Sequence, residues 1–179
     1  MRKILFVCTG NTCRSPMAEV LFNNFFKYKN HDNYNNKNNN DIANVNDDEN
    51  YNNHNKNADL VGVSAGLAVC EGEPANSLAI RVMKNEYGMS LDDHYARQLK
   101  TSDLDEAYVV LAMTKAHCNN IRKAFPGAAG KTFTLKEWVY SDKNKSDDIS
   151  DPFGGDYEVY KKCADELYEA IKILSMRLQ

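Results

Sequence analysis

Residues 3–8 (KILFVC) form a continuous apolar run rich in strand-forming side chains, and the run breaks directly into CTGNTCRSP. After it comes MAEVLFNNFF, in which Met17, Val20, Leu21 and Phe25 fall at helical spacing. This junction of strand, short loop and helix constrains the fold more tightly than any other feature. A strand that is apolar throughout must be covered on both faces, as strands of parallel sheets are. Ser15 predicts an N-cap and Pro16 the first helical position after it.

The same alternation continues along the chain. DLVGVSAG at 59–66 reads as a second strand, and 74–87 (PANSLAIRVMKNEY) as a helix closed by Gly88. Thr101 and Ser102 cap a short acidic turn leading into a strand at 108–113 (YVVLAM). Residues 115–125 then fit a helix, 131–135 a fourth strand, and 157–178 a long closing helix with Tyr160, Leu167, Ile171 and Leu174 as its buried stripe. Strands alternating with helices predict an α/β three-layer sandwich with a four-stranded parallel sheet and right-handed crossovers. Ligands are expected beyond the carboxyl ends of the strands, where CTGNTCRS sits.

With 179 residues, 42% of them apolar, the chain is expected to form one domain over 1–179. One tract departs from that composition. Between 29 and 57 about half of the residues are Asn, and only Ile42, Ala43 and Val45 are aliphatic. Such a segment buries too little surface to offset its ordering entropy, so it is expected to be a disordered insertion in a surface loop at the amino ends of the strands.

A net charge of −3 gives no basic footprint for nucleic acid, and the apolar run of the first strand is too short for a secretory or spanning segment. A cytoplasmic monomer with no membrane contact is expected. The five cysteines are an odd, dispersed set, so reduced thiols are the default, and no ligand spacing for a metal is visible. No cofactor is expected.

A cysteine just ahead of a helix N-terminus sits where the helix dipole and unpaired backbone N–H groups favour negative charge, which suits Cys8 to nucleophilic attack. The loop residues Thr9, Gly10, Asn11, Thr12 and Cys13, with Ser15, can wrap N–H donors around one tetrahedral anion. Gly10 is expected to supply the unusual backbone angles. Arg14 closes the ring with a planar fork that matches two phosphate oxygens. Taken alone, a cysteine at a strand end is usually a small buried hydrophobe, and an arginine after a loop a solvated charge. Strand, Cys-x5-Arg-Ser and capped helix together specify a nucleophile and a phosphate clamp in one loop. No Gly-Lys-Ser/Thr follows, which argues against a nucleotide triphosphatase. Attack on phosphorus needs a second group to protonate the leaving atom and then activate water. Asp151 in DISDPFGG is the best acidic candidate, since Pro152 stiffens its turn and Gly154 and Gly155 allow close approach to a ligand.

CTGNTCRSPMAE, SAG at 64–66 and DPFGG at 151–155 resemble, in order and across nearly the whole chain, the low-molecular-weight protein tyrosine phosphatase family, and more narrowly its bacterial protein-arginine-phosphatase branch. The resemblance implies a flavodoxin-like fold, a phosphocysteine intermediate on Cys8, phosphate binding by Arg14, thiolate stabilisation by Ser15 and general acid catalysis by Asp151. It also implies that Asn11 buttresses the loop and that His94 is similar to the family histidine that bonds the loop serine. Tyrosine-specific members carry a branched aliphatic residue where this chain has Thr12, and aromatic residues at both positions where it has Phe153 and Gly154. A hydroxyl can bond near a polar guanidino group, whereas an aliphatic side chain packs on a phenyl ring, so Thr12 favours phosphoarginine, with phosphotyrosine the alternative. Phosphorylated proteins are then the expected partners, and Phe153 can cover the leaving guanidinium.

Two other readings use similar residues. Thioredoxin-linked arsenate reduction needs two further cysteines close together, and Cys70, Cys118 and Cys163 are dispersed. A catalytically idle phosphoprotein-binding module is opposed by the presence of nucleophile, clamp and acid alike. Cys13 carries two readings of its own: capture of an oxidised Cys8 as a disulfide, or packing behind the loop.

Overall fold

The computed structural model describes residues 2–35, 60–140 and 147–178. The opening apolar run is β1 (Arg2–Cys8), buried from Ile4 onward. Its side chains alternate between two cores. Ile4, Phe6 and Cys8 face one that also holds Met17, Leu21, Val82 and Ile171, while Leu5 and Val7 face a second with Leu99, Leu104 and Ile121. A strand sandwiched in this way stabilises the fold from both sides, at about 1.5–3 kcal/mol for each large aliphatic side chain fully removed from water.

The remaining elements are α1 (Arg14–Asn35), β2 (Leu60–Gly66), α2 (Ser77–Tyr87), α3 (Thr101–Glu106), β3 (Ala107–Ala112), α4 (Lys115–Ala124), β4 (Thr132–Thr134), α5 (Leu135–Val139) and α6 (Tyr157–Arg177). They build a four-stranded, wholly parallel sheet in the order β2-β1-β3-β4. Helices α1, α2, α5 and α6 supply the first core and α3 and α4 the second. This is the α/β sandwich that the alternation predicts, with strands within a residue or two of their expected places. The stripe Tyr160, Leu167, Ile171 and Leu174 of α6 is buried throughout. Among the described residues no helix is long and apolar enough to cross a membrane.

Three boundaries differ from the sequence expectation, each for a local reason. Helix α1 begins at Arg14, so Ser15 lies inside its first turn and points at Cys8 instead of capping the helix. Helix α2 begins at Ser77, because the Asn76 side chain accepts from the Leu78 N–H and caps it there. Residues 29–35, expected as the start of the insertion, continue α1, since a helix already nucleated propagates at little cost. The rest of the expected insertion, 36–57, lies outside the described residues.

The register positions the functional loop. Arg2 pairs with Leu60 and Cys8 with Gly66, so β1 and β2 end side by side at their carboxyl ends. Gly66 is required there: a Cβ would stand 2.5 Å from the Thr9 carbonyl oxygen and 3.0 Å from the Asn11 nitrogen. Gly62 sits on the edge strand β2, where Asn23 of α1 takes both of its backbone hydrogen-bonding groups.

Candidate active site

Between β1 and α1 the loop 8–14 folds around Asn11. This residue, and not Gly10, holds the left-handed conformation, with φ of 56°. Asn tolerates that region better than other side chains, and here the side chain makes bonds that glycine could not. Its Nδ2 donates to Ser15 Oγ and Ser64 Oγ, both at 2.9 Å, and its Oδ1 accepts from the Arg97 N–H at 3.0 Å. The Asn11 carbonyl meets His94 Nε2 at 2.8 Å. His94 therefore buttresses the backbone of Asn11, and not Ser15 as the resemblance implies. Asn11 is fully buried, and these bonds join β2, α1 and the 88–98 segment to the loop.

Cys8 is 3% exposed. Its Sγ lies 3.0 Å from Ser15 Oγ and 3.3 Å from the Asn11 backbone nitrogen. Both groups are placed to donate to a thiolate, and the Asn11 amide side chain can donate to Ser15 at the same time. Arg14, 5% exposed, reaches Asp151 Oδ2 from Nη2 at 2.9 Å. Asp151 is more than half exposed, on the turn before α6, and its other oxygen accepts from the Phe153 N–H at 3.3 Å. The structure thus brings Cys8, Arg14 and Asp151 to one place, although Arg14 and Asp151 are 137 residues apart. Phe153 is 80% exposed on the same turn.

Thr12 is half-buried. Its carbonyl accepts from the Asn76 N–H at 2.8 Å, which ties the loop to the start of α2, and its hydroxyl lies 3.6 Å from Cys13 Sγ. Cys13 Sγ is also 3.3 Å from the Tyr160 hydroxyl, and burial pushes its thiol up from the usual range. Both Cys8 and Cys13 are free thiols. Gly10 follows the loop's path with ordinary room around it.

Sequence reasoning missed His117. It lies on the first turn of α4, 7% exposed, with Nε2 2.9 Å from the hydroxyl of Thr9. Burial first, and the Arg14 charge second, lower it to about 4, so the ring is neutral at ordinary pH. Its Nδ1 is buried without a partner among the described residues. A bare lone pair is cheaper to bury than a bare N–H, which places the ring proton on Nε2 and makes Thr9 the acceptor. The available signal was position alone: Thr114-x-x-His117 follows β3 at the carboxyl edge of the sheet, where ligands bind in folds of this kind. Among the described residues no group of three or more His, Cys, Asp or Glu could hold a metal ion.

The family described as low molecular weight phosphotyrosine protein phosphatase matches residues 3–35 and 49–179. The protein-arginine-phosphatase of Geobacillus stearothermophilus is 39% identical over 180 residues, covering 99% of this chain and 96% of that protein. The crystal structure of a low molecular weight protein tyrosine phosphatase from T. tengcongensis superposes with a TM-score of 0.79 at 38% identity, over 99% of both chains. A YwlE arginine phosphatase, solved as a cysteine-to-serine mutant with its active-site serine phosphorylated, superposes with a TM-score of 0.77 at 31% identity, covering 98% of this chain and 95% of that one.

Proposed function

Because the chain belongs to the low molecular weight phosphotyrosine protein phosphatase family, a family of hydrolases, we propose that it removes phosphate from phosphoarginine in proteins, with Cys8 as nucleophile, Arg14 as clamp and Asp151 as acid and base. In this reading the Cys8 thiolate attacks phosphorus while the P–N bond to the substrate guanidino group breaks. The departing nitrogen takes its proton from Asp151, leaving phosphate on sulfur. Asp151, now a carboxylate, removes a proton from water as the water oxygen attacks phosphorus. The S–P bond then breaks to release phosphate and restore the thiolate. The phosphorylated serine in the related YwlE mutant supports a covalent intermediate at the position of Cys8.

The loop chemistry supports the separate roles. Ser15 Oγ and the Asn11 N–H stabilise the thiolate when it is the leaving group as well as when it attacks. Arg14 commits one N–H to Asp151 and keeps the rest of its fork for phosphoryl oxygens. Thr9, Gly10, Asn11, Thr12 and Cys13 form the wall around the anion, and Phe153 stands exposed beside Asp151, where its face can cover a cationic leaving group.

Relatives at nearly the same identity carry arginine and tyrosine names, so the substrate assignment rests on Thr12. Its backbone is fixed by Asn76 and its side chain is half-buried in the loop, so its hydroxyl would offer a guanidino group a polar contact that a branched aliphatic side chain would not. The test is kcat/KM on a phosphoarginine peptide and a matched phosphotyrosine peptide, with Cys8→Ser as the blank. Preference for phosphoarginine is expected. Preference for phosphotyrosine would leave the three catalytic roles in place and remove Thr12 as the determinant.

A further inference from the structure

Beside Thr9, between the segment after β2 and helix α4, lies a half-open cavity of about 440 Å³ that the chemistry above does not use. Leu67, Leu99 and Phe125 give it an apolar lining, and Thr9, Gln98 and His117 complete the inner wall. Among the described residues no Asp, Glu, Lys or Arg lines it, and the His117 ring is neutral at ordinary pH. Of the polar groups in that inner wall, those of Gln98 and Thr9 are already engaged, and His117 Nδ1 is buried away from the opening. Gln98 Nε2 donates to the Leu67 carbonyl at 2.8 Å, Gln98 Oε1 accepts from the Val69 N–H at 3.3 Å, and the Thr9 hydroxyl is held by His117. Apart from the exposed Asn120 amide, what remains is a wall with little to offer a polar visitor and, among the described residues, nothing to pair with a charge drawn out of water.

The cavity adjoins the candidate active site through Thr9, which lines it and directly follows Cys8. A protein substrate presents its phosphorylated residue on a chain whose neighbouring Cα atoms are about 3.8 Å away. Side chains one or two positions along are then within reach of this opening when the phosphoryl group is in the loop. We propose that the cavity is a subsite for an uncharged, apolar side chain flanking the phosphorylated residue. The proposal rests on the reading of the chain as a protein phosphatase.

The test uses phosphoarginine peptides that differ only in the residues within two positions of the phosphoarginine, which are Leu, Gly or Asp. The Leu series is expected to exceed the Gly series by about tenfold in kcat/KM, the gain from burying roughly half of one such side chain, and to do so through KM. The Asp series should fall below Gly. Ala124→Trp and Asn120→Trp, each made on the outer rim of the cavity, should erase the Leu advantage by filling it. Activity of both variants on p-nitrophenyl phosphate, which has no flanking residues, should match the unaltered protein and so report correct folding. A flat series, or a Leu advantage that survives both Trp variants, overturns the subsite. The same peptides built on phosphotyrosine separate the two readings. If only these are turned over, the arginine assignment fails, and the subsite stands or falls on their Leu, Gly and Asp order. Turnover of neither series ends both proposals.

Discussion

Replacing His117 by Gln tests whether a neutral buried imidazole is built into the site. Gln carries an amide N–H at the distance of Nε2, so the bond to Thr9 can be kept while the titration is lost. In the folded protein the ring is lowered to about 4 from the ordinary 6.5, by burial and then by Arg14, with Asp151 and Asp148 opposing. Protonation would also place an N–H on Nδ1, which has no partner among the described residues. At about 1.36 kcal/mol per pH unit, the difference between folded and unfolded values is worth about 3 kcal/mol.

Which state binds the proton sets the sign. Above about 6.5 the ring is neutral in both states, and the difference costs nothing. Between about 6.5 and 4 the unfolded chain takes up a proton that the folded protein refuses, so stability falls as pH falls, and the full penalty is present below 4. The assay is urea unfolding of the unaltered protein and His117→Gln at several values from pH 7 to pH 4. Carboxylates contribute to both curves, and subtraction removes them. The unaltered protein should lose about 3 kcal/mol more than the variant across that range, equivalent to about 6–12 °C in Tm for a chain of this size. Parallel curves would refute the buried neutral ring.

Asn11→Gly keeps the left-handed backbone and deletes only the side chain that joins Ser15, Ser64 and Arg97. At about 1 kcal/mol for each lost bond it should lower kcat/KM by about 10²-fold, and activity equal to the unaltered protein would show that the loop holds itself without the strut. Deleting 36–48, the stretch that the family match passes over, should leave turnover of p-nitrophenyl phosphate within about twofold. The chain enters β2 at Leu60, six residues and about 20 Å along the strand from the end that carries Gly66 and the loop. A tenfold fall would place the insertion at the site after all.

The sequence shows best what is contiguous. Cys8, Arg14 and Ser15 meet at one strand–helix junction, and the apolar strand before it and the helical stripe after it set that junction at the carboxyl ends of the strands, so the proposed nucleophile and clamp stand together in the sequence as they do in the fold. The sheet was legible for a related reason: three of the four strands are short, largely apolar runs, and the fourth, Thr132–Thr134, is made of strand-favouring residues. Asp151 was visible only as a turn, D-P-x-G. Its place over the loop comes from Arg14 and from the turn's own Phe153 N–H, contacts that no local pattern encodes.

Residues that hold the loop from outside come from distant segments, where local spacing is silent and only the family resemblance pointed to residues 64–66 and His94. Ser64 lies near the end of β2, His94 rides a segment with no regular structure, and His117 opens α4 after β3. The left-handed residue was misplaced because glycine is the usual bearer of such angles. Here the position must also carry an amide that reaches two hydroxyls at once, and that second demand selects Asn11 over Gly10. The same logic explains the division of labour around sulfur. The loop's own backbone supplies the Asn11 N–H to Cys8, but a backbone donor is only as well placed as the residues that pin it. Ser64, Arg97 and His94 pin Asn11 from two other segments, so the geometry at Cys8 is set by contacts more than 50 residues away in sequence. In the proposed mechanism Cys8 faces the same donors when it attacks and when it departs, and that needs such rigidity, because any donor that drifted between the two steps would stabilise one and not the other.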